Sequence, residues 1–185
     1  RYVEIWNDVF MQYNKTSDGK FEPLKQQNVD TGLGLERMTA ILQGKPTHYE
    51  TELFAPAIEK IRKLGKVDES NSEHVKSLRI VADHLRAATF IIGDQRGVSP
   101  SNVDQGYIVR RLIRRAIRHA KLLGVETMRQ MGKDYFTPAV MPQIVQVYID
   151  IYKSVYPELE QNRDRILLEL EREERRLRRA INSHC

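Results

Sequence analysis

A change of hydrophobic period near residue 44 constrains this chain of 185 residues more than any other feature. Before that point, apolar and polar side chains alternate. Val3, Ile5, Asn7, Val9 and Met11 fall on one side, and Glu4, Trp6, Asp8, Phe10 and Gln12 on the other, which is a strand pattern. Asn7 interrupts an apolar face, and a buried amide needs partners from the protein or from a ligand. Residues 14–19 end in Asp18-Gly19 and read as a tight turn. Residues 21–27 return as a second strand broken by Pro23, and the run from Asn28 reads as a further strand. A helix over 35–43 follows, ended by Gly44.

Beyond Pro46 the spacing turns helical. Segments 53–64, 75–92, 107–123, 138–156 and 157–181 carry apolar residues at intervals of three and four. In the second of these Leu78, Val81, Ala82, Leu85, Ala88, Thr89 and Ile92 form the stripe. In the last it is Leu159, Ile166, Leu170, Leu177 and Ile181. Between the second and third helices lie residues 93–106, a stretch with three glycines and one proline, long enough to expect function from it. The fold class expected is therefore α+β, mostly α. Residues 1–45 form an antiparallel sheet that closes into a helix, and 46–185 form a helical domain.

Hydrophobic residues make up 41% of the chain, enough for a core, and no apolar run reaches membrane-spanning length, so no membrane partner is expected. The single cysteine, Cys185, excludes an internal disulfide and suits a reducing compartment. A net charge of +5 fits an anionic partner. The chain opens on Arg1 inside a strand pattern and reads as a piece of something longer.

Two segments carry chemistry. The first is Asn28-Val29-Asp30-Thr31-Gly32-Leu33-Gly34-Leu35-Glu36-Arg37-Met38. Gly32 and Gly34 remove side chains where a flat ligand would approach the backbone. Asp30 offers a carboxylate and Arg37 a fixed cation suited to a base or a phosphate. The pattern is neither the dinucleotide fingerprint nor a P-loop. On its own it serves equally as a structural turn.

The second segment is the helix over 107–123. Arg110, Arg111, Arg114, Arg115, Arg118 and Lys121 share one side of it, with no acid between Tyr107 and Lys121. Like charges at that spacing repel, and a polyanion relieves the repulsion. The alternative is a solvated face paired with acids from other helices. Asn102, in the preceding loop, carries both a donor and an acceptor and is equipped to read a base edge or to cap a turn. The basic run 172–179 interleaves with Glu169, Glu171, Glu173 and Glu174 and reads as an ion-paired surface helix. His84 and His119 show no metal-ligand spacing, and no metal site is expected.

Taken together, five segments in order resemble the alanyl-tRNA synthetase family. They are Glu4-Ile5-Trp6-Asn7-Asp8-Val9-Phe10-Met11-Gln12, the run Val29 to Met38, Leu78-Arg79-Ile80-Val81-Ala82-Asp83-His84-Leu85-Arg86, Pro100-Ser101-Asn102, and Gly106-Tyr107-Ile108-Val109-Arg110-Arg111-Leu112-Ile113-Arg114-Arg115. The resemblance implies a class II synthetase, with the front block as the end of the catalytic sheet, the glycine run as its motif 3, and the helices as the tRNA-recognition domain. It implies that Arg37 and Gly34 contact ATP, that Gly32 floors the substrate site, that Asp30 holds the ammonium of alanine, and that Asn7 bonds its carboxyl end. It implies that Asn102 reads the G·U wobble pair of the tRNA-Ala acceptor stem while Arg110, Arg111, Arg114, Arg115 and Arg118 track phosphates. ATP with Mg2+ enters as a substrate, and a cytoplasmic location is implied.

Motifs 1 and 2 are expected before Arg1, and an editing domain and the acidic partner of Asn102 after Cys185. The isolated chain is accordingly expected not to form alanyl-adenylate. The segment Val103-Asp104-Gln105 lacks the basic residue that the family often places before the following glycine. A non-catalytic RNA-binding or accessory protein on the same fold is the competing reading.

Overall fold

A computed structural model describes residues 2–126 and 138–182, the last two of these by backbone only. Arg1 and Cys185 lie outside the described residues, and so does the side chain of Ile181. The architecture is α+β and mostly α: among the described residues, one two-stranded antiparallel sheet and seven α-helices. The chain separates into two compact units, 1–53 and 54–185.

In the first unit, strands β1 (Trp6–Lys15) and β2 (Phe21–Leu33) pair as one hairpin, with Trp6 opposite Leu33, Asn7 opposite Gly32 and Val9 opposite Asp30. The turn closes through the Gly19 N–H on the Thr16 carbonyl at 2.9 Å, with Gly19 at φ +86°, a conformation that favours glycine. Two expectations fail here. Residues 21–27 and the glycine run are a single strand, not two. Pro23 does not break it because it pairs with Tyr13 beside a register shift between Met11 and Tyr13, where the missing N–H costs no ladder bond. Nor is Asn7 buried: every residue of β1 is exposed, so the alternation separates two open faces of a ribbon.

Helix α1 (Leu35–Leu42) starts at Gly34 and stops in a Schellman turn. The Gly44 N–H bonds the Ile41 carbonyl at 3.0 Å and the Lys45 N–H bonds that of Ala40 at 2.8 Å, with Gly44 at φ +62°.

The second unit is a helical bundle of α2 (Ala55–Leu64), α3 (Ser72–Gly93), α4 (Asp104–Leu122), α5 (Met141–Tyr152), the single turn α6 (Glu158–Gln161) and α7 (Arg163–Asn182). Helix α3 is its axis and packs against α2, α4, α5 and α7. Asn71 caps it, accepting the Glu73 N–H at 2.9 Å. Its whole expected stripe, Leu78 to Ile92, is buried. Ile113, Ala116 and Ala120 of α4 and Ile144, Tyr148 and Ile149 of α5 meet it in the core. The one polar atom that Tyr148 takes inside donates to the Ala82 carbonyl at 2.9 Å.

The helix expected over 157–181 is broken at Asn162, whose amide donates to the Gly93 carbonyl at 2.9 Å. A Cβ on Gly93 would lie 2.9 Å from Ile166 Cδ1, so glycine permits this close crossing. The loop between α3 and α4 shrinks to 94–103. Arg165 clamps its start, donating to the carbonyls of Ile92 at 2.6 Å and Asp94 at 2.7 Å.

Candidate functional site

The sheet register brings three expected residues of the first unit together. Antiparallel partners share a face, so the pairs Asn7–Gly32 and Val9–Asp30 place Asn7, Gly32 and Asp30 on one side of the ribbon. The Asn7 Oδ1 sits 3.0 Å from where a Cβ on Gly32 would be, and its amide donates to Glu4 Oε1 at 3.2 Å. The absence of a side chain at position 32 therefore leaves the Asn7 amide room at the strand end. Gly34 and Arg37 meet two residues further on. The Gly34 N–H bonds the Ile5 carbonyl at 3.0 Å, the Arg37 stem packs on Gly34, and its guanidinium donates to the Glu4 carbonyl at 2.8 Å. One of five guanidinium N–H groups is thus used for anchoring among the described residues.

In the second unit, α4 is strongly two-sided. Gly106, Val109, Ile113, Ala116, Ile117 and Ala120 are buried, while Arg111, Arg114, Arg115, Arg118 and Lys121 are exposed and form no salt bridge among the described residues. Arg111 lies over the Tyr107 ring at 5.9 Å. These cations line a cleft of about 630 Å3 together with Asn102, Tyr107 and Leu177 and Arg178 of α7. Arg110 differs from its neighbours. It is half-buried, and its Nε donates to Glu173 Oε2 at 3.1 Å, while its terminal N–H donates to Asn102 Oδ1.

The Asn102 loop is held at its far end. The Ser101 N–H bonds the Gly106 carbonyl at 3.0 Å, and Ser101 Oγ donates to the Val103 carbonyl at 2.8 Å. Asp104 adopts φ +50°, a conformation Asp tolerates better than most residues.

His119 packs on the other side of α4 with its Nδ1 3.0 Å from the hydroxyl of buried Ser77. Burial first, and then the charges of Arg115 and Arg118, hold it below the usual histidine range, so the ring is neutral at pH 7. Among the described residues no group of three His, Cys, Asp or Glu could hold a metal, and no helix is long and apolar enough to cross a membrane.

The part α7 plays is not legible in its residue spacing. It is ion-paired on its outer side, with Arg172–Glu169 at 3.0 Å and Arg175–Glu171 at 2.7 Å. Yet Glu173 and Glu174 are fully buried, which corrects the expectation of a surface helix. Glu173 holds Arg110 and Arg176, and Glu174 accepts the N–H groups of Val140 and Met141 at the start of α5, at 3.1 and 3.0 Å. The adjacent acids in a basic run were visible. Which of them turned inward was not.

The family model for class II (A) tRNA synthetases covers residues 1–183, and the chain belongs to that family. Within it, the chain is similar to proteins named alanine–tRNA ligase. It is 48% identical to that of Treponema pallidum (strain Nichols) over 182 residues, 98% of this chain and 28% of the relative. It is 45% identical to that of Borrelia hermsii (strain HS1 / DAH) over 98% of this chain and 29% of the relative. It is also 45% identical to the chloroplastic/mitochondrial protein of Sorghum bicolor over 95% of this chain and 18% of the relative. The chain thus spans less than a third of the length of these relatives.

Proposed function

We propose that this chain supplies two parts of an alanine–tRNA ligase: the amino-acid end of the adenylation site and the surface that grips the acceptor stem of tRNA-Ala. The observation that carries the reading is the cleft along α4, where five cations without salt bridges among the described residues flank an amide side chain. Five guanidinium or ammonium groups give affinity for a phosphate backbone, and Asn102 gives a base-edge contact that the cations cannot. The groove of an A-form stem that side chains can read is the shallow minor one.

In the first unit, Asp30 pairs with the ammonium of alanine and the Asn7 amide bonds its carboxyl end. Gly32 leaves the space between them open. Arg37, braced on Glu4, directs its remaining donors at ATP beside the bare backbone of Gly34. Mg2+ arrives with the nucleotide as part of the substrate. The reaction joins alanine to the α-phosphate with loss of pyrophosphate, then passes the acyl group to the 3′ end of the tRNA. These residues contribute by positioning and by charge.

Binding of acceptor-stem hairpins tests the reading. With three to five phosphate contacts, log K should fall against log salt with a slope of roughly −2.7 to −4.5. Arg114→Ala and Arg115→Ala should each weaken all stems alike and reduce the slope by about 1. Asn102→Ala should erode the preference for a G·U over a G·C stem by roughly tenfold or more, leaving the slope intact. Salt-independent binding would leave the cationic face as a solvated surface only.

A further inference from the structure

The Asn102 side chain is not free to choose which end it offers. Arg110 donates to its Oδ1, and a guanidinium has no acceptor, so the amide must turn its oxygen towards Arg110. That leaves the Nδ2 hydrogens as the group the amide has to offer in the cleft that Asn102 lines. Arg110 is itself fixed from behind. Its Nε donates to Glu173 Oε2 at 3.1 Å, and the other oxygen of that carboxylate accepts from Arg176 at 2.7 Å. Glu173 is fully buried, and a buried carboxylate is held firmly by its cations because losing one strands a charge away from water. The side chain of Arg110 is 19% exposed, against open neighbours at 111, 114, 115 and 118.

We propose that Arg110, anchored on Glu173, is a positioning residue that presents Asn102 to RNA as a hydrogen-bond donor, so that Asn102 selects a stem by an acceptor on a base edge. This rests on the reading of Asn102 as the base-edge contact. It removes Arg110 from the set of phosphate ligands and gives the cleft a polarity: donors throughout, with Asn102 matched to a carbonyl oxygen or ring nitrogen in the minor groove.

The test uses the whole chain with G·U and G·C acceptor-stem hairpins, together with side-chain amide NMR of Asn102 in the free protein. The expected result has four parts. The Asn102 amide is rigid in the wild type and mobile in Arg110→Lys. Arg110→Lys loses the G·U preference to the same extent as Asn102→Ala. The double variant is no worse than either single one. Asn102→Asp, of equal shape but without a donor, loses the preference as well.

An amide equally mobile in wild type and Arg110→Lys overturns the proposal while leaving Asn102 as a reader. Retained preference in Asn102→Asp overturns it too, by showing that the oxygen does the reading, and this exposed site does not depend on refolding around a new core contact. Equal losses on both stems in Arg110→Lys make Arg110 a phosphate ligand and overturn the proposal. A rigid amide with no stem preference in the wild type instead refutes the underlying reading, and the proposal with it.

Discussion

Replacing Gly106 by alanine gives a prediction whose sign separates two accounts of the same residue. Gly106 lies in the first turn of α4. By helix propensity alone, alanine there should stabilise the protein by up to about 1 kcal/mol. The packing says the opposite. A Cβ at this position would overlap Ser101 Oγ and would lie 2.6 Å from the Ser99 carbonyl oxygen and 2.8 Å from Ser101 Cβ. Ordinary contact begins near 3.4 Å, so the backbone at Ser99 would have to retreat by about 0.8 Å. That segment cannot move alone, because the Ser101 N–H is bonded to the Gly106 carbonyl at 3.0 Å.

Overpacking of this kind costs about 1–3 kcal/mol, which for a bundle of this size lowers the melting temperature by roughly 3–10 °C. The shift propagates to Asn102, one residue on, so the G·U over G·C preference should fall with little change in salt slope. Thermal melts followed by circular dichroism and stem binding at two salt concentrations measure both effects. A Gly106→Ala protein that melts higher than wild type, with stem preference intact, would falsify the claim that this glycine is required by the approach of the Asn102 loop.

Three further outcomes are expected. His119 binds a proton less readily in the folded state than at its ordinary value of 6.5. Below that pH the unfolded chain therefore takes up a proton the folded one refuses, and stability falls as pH drops through 6.5 until the folded ring also titrates. Urea melts at pH 5.5 and 7.5 should show a decrease on acidification that is smaller in His119→Gln. Glu174→Ala should destabilise the bundle by about 2–4 kcal/mol, because it deprives two buried N–H groups at the start of α5 of their acceptor. Glu174→Gln, which keeps an oxygen, should cost less, and equal losses in chemical denaturation would refute the acceptor role. Tyr148→Phe should cost about 1 kcal/mol by the same measurement, since it removes the buried hydrogen bond that the hydroxyl donates to the Ala82 carbonyl.

The front hairpin shows how far period and register carry. Alternation located the strands. Because antiparallel partners share a face, the side common to Asn7, Gly32 and Asp30 followed once the pairing was known. Pro23 misled, because a proline beside a register shift costs nothing that sequence can see. On α4, the stripe of cations was legible from the 3.6-residue period, since side-chain direction on a helix is a local property. The fate of Arg110 was not, because its partner Glu173 is 63 residues away.

By itself, then, the sequence determined the order of sheet and bundle, the buried stripe of α3, the cationic face of α4 and membership of a synthetase family. Local periodicity and side-chain chemistry encode the first three, and the resemblance of five ordered segments carries the last. Only the tertiary structure decided that the helix expected over 157–181 breaks at Asn162, that two glutamates of α7 turn inward, and that one of them ties Arg110 to Asn102. Those outcomes depend on which helices meet and on the high cost of leaving a buried charge or N–H unpaired, and neither is written in the spacing of residues along one helix.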